Sequence, residues 1–145
     1  MPKRRWTWIA LDVTYAVQER QIAEHGGAAG VRDPALIESA LARPVNVAAY
    51  GSADAADLAA AYAWGLARNH GFIDGNKRTA WVVARLFLRV NRINVAFEPT
   101  TAVRTMESVA GGLIDEAQLA GWFRQRIKPL HPSPGRRGGR QMRGG

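Results

Sequence analysis

Between His70 and Ala80 the chain reads HGFIDGNKRTA, which puts a histidine, a carboxylate, two glycines, an amide and two cations directly ahead of the apolar run Trp81–Val90. Each residue type has a use in phosphoryl chemistry. A neutral imidazole at His70 is suited to take the proton of an attacking hydroxyl. Asp74 is a hard oxygen ligand of the kind that holds Mg²⁺ bridging phosphates. Asn76, Lys77 and Arg78 are expected to hold phosphate oxygens, Arg78 in bidentate fashion. Gly75 lets the backbone approach a ligand closely, and Phe72 is expected to anchor the loop through its apolar ring. The plain alternative is an interhelical turn whose charges are solvated.

The element that must position these groups is a helix beginning near Gly75–Asn76. Its first-turn N–H groups have no intrahelical partners, and its N-terminus carries about half a positive charge, so a phosphate is a natural occupant. Lys77 and Arg78 are out of place there unless something negative lies between them and the backbone, and a broken local rule of this kind marks functional sites. The pattern is not a Walker A loop, because that motif has four residues between its glycines and a Lys directly after the second. Here three residues separate Gly71 from Gly75, and Asn76 precedes Lys77. A zinc site on His70 and Asp74 lacks a nearby third ligand, since His25 and His131 belong to a distant loop and to the C-terminal stretch.

Stepping outward, the spacing predicts helices throughout. Thr14 to His25 reads as a helix closed by Gly26-Gly27. Asp33 as N-cap, Pro34 at the first helical position and Pro44 as the stop give a second helix over Pro34–Arg43. Asp54 to Asn69 carries small residues that permit close packing and delivers the chain to His70. Ala80, Val83, Ala84, Phe87 and Val90 follow the helical period in a segment apolar on most sides, which reads as the central helix. INVAFEP is expected to form a short edge strand ended by Pro99, followed by helices over Thr101–Ala110 and Asp115–Ile127. Trp6 to Ile9 alternates, as a short strand or an N-terminal brace would. The 145 residues are about one domain's worth, and 47% apolar with 22% charged residues is an ordinary globular composition. There is no cysteine, hence no disulfide, thiolate nucleophile or cysteine-held metal. The N-terminal stretch is neither a signal peptide nor a membrane span, which makes the cytoplasm the expected location and leaves no membrane partner.

Charge is unevenly distributed. Half of the net +8 falls in Pro129–Gly145, which holds Arg136, Arg137, Arg140 and Arg143 and no acid. That Pro/Gly/Arg stretch has almost nothing to bury and is expected to be a disordered tail on a domain spanning residues 1–128. The tail also raises a different class of function, a non-catalytic nucleic-acid-binding protein. Against that, the globular part shows no helix presenting Asn, Gln and Arg in series, so only weak nucleic-acid contact through the tail is expected.

HGFIDGNKRTA resembles the signature of the Fic/Doc family, His-x-Phe-x-Asp/Glu/Asn-Gly/Ala-Asn followed by a basic stretch. LIESALARP and EHGGAAGVRDP are similar to the N-terminal part of the death-on-curing (Doc) toxins. The similarity runs from about Trp8 to Ile127. It implies an all-α fold of about six helices around a central apolar helix, with at most one or two short strands and a nucleotide bound over the loop. Fic members commonly transfer AMP to a protein hydroxyl, whereas Doc toxins are kinases that phosphorylate a threonine of translation elongation factor Tu. The AMP-transferring pattern has Gly after the Asn and a second Arg three residues beyond the first; here those positions are Lys77 and Trp81. Both departures favour the kinase. The resemblance therefore implies ATP and Mg²⁺, His70 as catalytic base, Asp74 as metal ligand, and Arg68, Gly75, Asn76, Lys77 and Arg78 on the nucleotide. Arg85 and Arg89 share a helix face with Arg78, but the expectation for these two is salt bridges to acids such as Glu38 or a solvated face. The partner implied is a small antitoxin whose C-terminal segment folds on the toxin.

Overall fold

Several helix starts are written by residues within three positions of the cap. In the computed structural model, which describes residues 5–130, Asp33 accepts from the N–H groups of Ala35 and Leu36 and opens α2 (Pro34–Ala49). Asp54 and Asp57 form a reciprocal capping box at the start of α3 (Ala55–Asn69), and Asp115 with Gln118 does the same for α6 (Glu116–Arg124). Glu98 caps α5 (Pro99–Ala110), with Pro99 in its first turn. The remaining helices are α1 (Leu11–His25) and α4 (Asn76–Val90). The only strands among the described residues, β1 (Ile93–Val95) and β2 (Ile127–Pro129), pair antiparallel with Ile93 opposite Pro129 and Val95 opposite Ile127.

Six helices around a buried helix agree with the all-α expectation, but the helix at the centre is α3 rather than α4. It packs against α2, α4, α5 and α6, and its alanines together with Leu58, Tyr62 and Leu66 are buried. Small side chains make this possible, because neighbours can approach on every side. At Gly65 an added Cβ would already lie 3.3 Å from the Ala40 methyl of α2. Helix α4 keeps one wet face, on which Lys77, Arg78 and Arg89 are exposed.

Several boundaries differ from the sequence expectation: α1 begins at Leu11 rather than Thr14, α5 at Pro99 rather than Thr101, and the strand ends at Val95. Pro44 does not stop α2, which continues to Ala49 with Pro44 inside it. Proline removes one backbone bond from a helix, yet Ile37, Ala40 and Pro44 lie on one buried face, and burial on that face outweighs the loss. Helix α6 ends at Arg124 instead of reaching Ile127, because Ile127 is taken into the pairing with β1. That pairing brings Pro129 into the fold, and Leu130 N–H donates to the Arg92 carbonyl at 2.8 Å. The rest of the predicted tail, residues 131–145, lies outside the described residues. Trp6 to Ile9 is a brace rather than a strand. Trp6 and Trp8 pack on Phe87 at 5.7 and 5.8 Å between ring centroids, and Ile9 N–H donates to the Tyr62 hydroxyl at 2.9 Å. No helix among the described residues is long and apolar enough to cross a membrane.

Candidate active site

Helix α3 ends at His70, whose backbone is left-handed at φ 52° and ψ 45°. This conformation turns the chain sharply out of the helix, and histidine is among the few non-glycine residues enriched there. The turn is held from outside, because the His70 carbonyl accepts from Nε of Arg32 at 2.9 Å and also from its Nη2. The next carbonyl, of Gly71, accepts from the N–H groups of Arg32 and Asp33 at 2.8 and 2.9 Å. Gly71 tolerates no side chain, since a Cβ would sit 2.3 Å from Ile37 Cδ1.

Residues 71–73 are then stitched to the α1–α2 connection. Phe72 pairs with Val31 in an antiparallel bridge, and Ile73 N–H donates to the Gly30 carbonyl at 3.0 Å. The Phe72 ring is buried and meets Tyr15 edge-on at 5.9 Å. The amide of Asn76 closes the loop on itself. Its Oδ1 accepts from Phe72 N–H and its Nδ2 donates to the Phe72 carbonyl, each at 3.0 Å. Asn76 was expected to hold a phosphate; in this geometry its side chain shapes the loop instead.

Asp74 is fixed at two points. Buried Gln18 of α1 donates from Nε2 to its carbonyl at 3.1 Å, and Ala28 N–H donates to its Oδ2 at 2.8 Å. The carboxylate is exposed, and Oδ1 takes no hydrogen bond from the described residues. Gly75 follows in the left-handed region at φ 74° and opens α4. The first backbone bond of that helix runs from Thr79 N–H to the Gly75 carbonyl at 2.9 Å. The N–H groups of Asn76, Lys77 and Arg78 have no partner among the described residues, as the geometry of a helix start requires. Lys77 and Arg78 are exposed beside them, and neither forms an ion pair with a described residue. The His70 imidazole is likewise exposed, with no partner among the described residues.

The loop thus carries an imidazole, a carboxylate, a run of N–H donors and two cations that take no partner among the described residues except the Ala28 N–H on Asp74 Oδ2. Such a set can take up an anion and move a proton beside it. Among the described residues no three His, Asp or Glu side chains are grouped so as to hold a metal ion.

Other predicted residues are elsewhere. Arg68 precedes His70 by two positions, about 200° around a helix, and faces the other way. Its guanidinium lies over Trp64 at 5.6 Å, and Nη1 reaches the carbonyls of Val109 and Ala110 at 3.5 and 3.4 Å. Its charge therefore meets the negative end of α5 instead of the loop. Trp81 packs against Phe97, Trp122 and Phe123 with centroids 5.0–6.0 Å away. Arg85 lies over Phe97 at 4.5 Å, and burial, assisted by Arg89, lowers its pKa from the usual value. Neither Arg85 nor Arg89 pairs with Glu38.

Sequence reasoning missed the groups that hold Asp74 and the loop: Gln18, the backbone of Ala28, and Arg32. Gln18 left a signal, because a polar residue four positions after Thr14 falls on the face of α1 that is buried. The glycines of residues 26–30 left another, since a Cβ at Gly27 would meet the Asp74 Cβ at 3.3 Å.

Comparison with known proteins adds the lineage. The "Toxin Doc" protein of Mycolicibacterium smegmatis (strain ATCC 700084 / mc(2)155) is 43% identical over 107 residues, covering 67% of this chain and 81% of that protein. "Protein kinase doc" of Escherichia phage P1 is 36% identical over 97 residues, covering 66% of this chain and 77% of its own. The model of the Fic/DOC family matches residues 8–88, a span that includes α3, the whole signature loop and most of α4; the chain belongs to the Fic/DOC family.

Proposed function

We propose that this protein is a growth-arresting toxin of the Doc kind, a protein kinase that transfers the γ-phosphate of ATP to a Ser or Thr hydroxyl of a translation factor, elongation factor Tu by resemblance. The names of the two relatives support a toxin and a kinase. The observation that carries the choice of kinase over AMP transfer is the packing of Trp81. The position that holds a second phosphate-binding Arg in AMP-transferring members is filled by an indole engaged with Phe97, Trp122 and Phe123. Lys77, where those members have Gly, adds a cation that pairs with no acid among the described residues, beside the open N–H groups.

In this reading the His70 imidazole accepts the proton of the substrate hydroxyl as its oxygen forms a bond to the γ-phosphorus. The bond to the β,γ-bridging oxygen breaks, and ADP leaves. The N–H groups of the first α4 turn, with Lys77 and Arg78, bind phosphate oxygens and offset their charge. The donor set at Asp74 fits Mg²⁺, a hard cation that takes carboxylate oxygen and would neutralise phosphate charge when bound. The Ala28 N–H orients that carboxylate, and Gln18 holds the Asp74 backbone. The regulating partner in this reading is a small antitoxin that folds on the toxin.

The test uses purified elongation factor Tu and ATP labelled on either the α- or the γ-phosphate. The γ label alone should reach the protein; transfer of the α label would make this an adenylyltransferase. A second expectation concerns Asp74. The variant Asp74→Ala should weaken ATP binding in the presence of Mg²⁺ by about tenfold or more, the scale of losing one charged interaction, and leave metal-free binding nearly unchanged. Calorimetry with and without Mg²⁺ measures both, and equal loss in the two would assign the carboxylate a purely structural role at the Ala28 N–H.

A further inference from the structure

The two-stranded sheet leaves one edge of β1 bare. The Arg92 carbonyl accepts from Leu130 N–H, and Ala96 N–H donates to the Arg126 carbonyl, both at 2.8 Å. Bonding residues alternate along an antiparallel strand, so Arg92, Asn94 and Ala96 face β2 while the N–H and C=O groups of Ile93 and Val95 face the other way. β2 has the matching parity, since Pro129, opposite Ile93, needs no N–H for the pairing. No third strand joins the sheet among the described residues, and the outward groups of Ile93 and Val95 find no partner there.

β1 also lines a groove of about 200 Å³ with Val82, Arg85, Leu86 and Arg89 of α4. No residue of β2 borders it, which places the groove with the bare edge rather than the paired one. Val82 and Leu86 are half-buried, one helical turn apart, and give the groove an apolar wall. Arg85 and Arg89 are also one turn apart, and neither forms a salt bridge with a described residue. Arg85 is half-buried with its guanidinium over Phe97, whereas Arg89 is exposed. Burial first, and Arg89 second, lower the pKa of Arg85, as befits two guanidiniums held together without an acid.

We propose that the bare edge of β1 and the α4 groove receive an extended, acidic segment of a partner protein, which adds a third strand to the sheet. Main-chain bonds to Ile93 and Val95 hold the segment, apolar side chains lie against Val82 and Leu86, and carboxylates meet Arg85 and Arg89. A helical segment has its main-chain groups already bonded and offers nothing to the edge. Charge decides between the remaining occupants. A second copy docked edge to edge would set its own Arg85 and Arg89 against these, and a basic segment would add to the same repulsion. The surface shares no residue with the signature loop, so the proposal holds or fails apart from the kinase reading.

The test is fluorescence anisotropy of the full-length protein with a labelled peptide of about nine residues, the length of a long strand, alternating valine and glutamate. The same peptide with lysine for glutamate is the control. The glutamate peptide should bind at least about tenfold more tightly, the scale of one charged hydrogen bond, and should lose affinity as salt is raised. N-methylation of one alternate set of its amides should weaken binding at least about tenfold, and methylation of the other set should leave it nearly unchanged, because only alternate amides of an added strand face β1. Arg89→Glu, at an exposed position, should weaken binding about tenfold or more with little change in melting temperature. Failure of the glutamate peptide to bind, equal affinity for the lysine peptide, equal effects of the two methylated sets, unchanged binding by Arg89→Glu, or self-association of the protein in place of peptide binding would overturn the proposal.

Discussion

Replacing His70 by Ala is expected to abolish growth arrest and to slow phosphoryl transfer by about 10²–10⁴, the usual cost of losing a general base, with little change in melting temperature. The fold should survive because the imidazole is exposed and has no partner among the described residues; Arg32 grips the backbone carbonyl of His70, not its ring. One structural cost needs separating from the chemical one. The left-handed backbone at this position disfavours alanine by about 1–2 kcal/mol, whereas asparagine tolerates it. His70→Asn therefore removes the base while keeping the turn, and the two variants should be equally inactive. Growth assays, labelled-ATP transfer and thermal melts on both give the answer. A well-folded His70→Asn protein that still arrests growth would remove His70 from the chemistry.

Lys77→Gly is expected to lose γ-phosphate transfer by about 10²-fold or more, the scale measured for single groups that stabilise charge in a transition state. The side chain lies on the first turn of α4, exposed and free of any acid, so its charge has no structural task among the described residues. Glycine there removes charge and bulk together, and a second variant separates them. Lys77→Met keeps the length without the charge and should lose γ transfer to the same degree. Only the glycine variant opens room for a β,γ-diphosphate, and with Trp81 still packed among aromatic rings it should show at most feeble AMP transfer. Retained γ transfer by Lys77→Met would show that the loop N–H groups and Arg78 suffice, and the argument from Lys77 would fail.

What the sequence determined by itself is local. The cap at Asp33 is legible, and the helix starts at Asp54 and Asp115 with it, because each of these capping bonds closes within three residues. The signature loop is legible because its residues are contiguous: His70, Asp74, Gly75, Lys77 and Arg78 fall together where one helix ends and another begins. Tertiary structure decided the rest. It carried α2 past Pro44, made α3 the centre of the bundle, and paired β2 with β1 across more than thirty residues of intervening chain. It turned Arg68 onto the end of α5, spent the amide of Asn76 on Phe72, and held Asp74 with Gln18 and Ala28, which are 56 and 46 residues away. The physical reason is that a residue's type states which bonds it can make, while the partner it finds depends on which distant surfaces burial brings within 3 Å. Caps and contiguous motifs carry their partners with them in the sequence. A buried glutamine or a cation over an indole acquires its partner only when the helices pack.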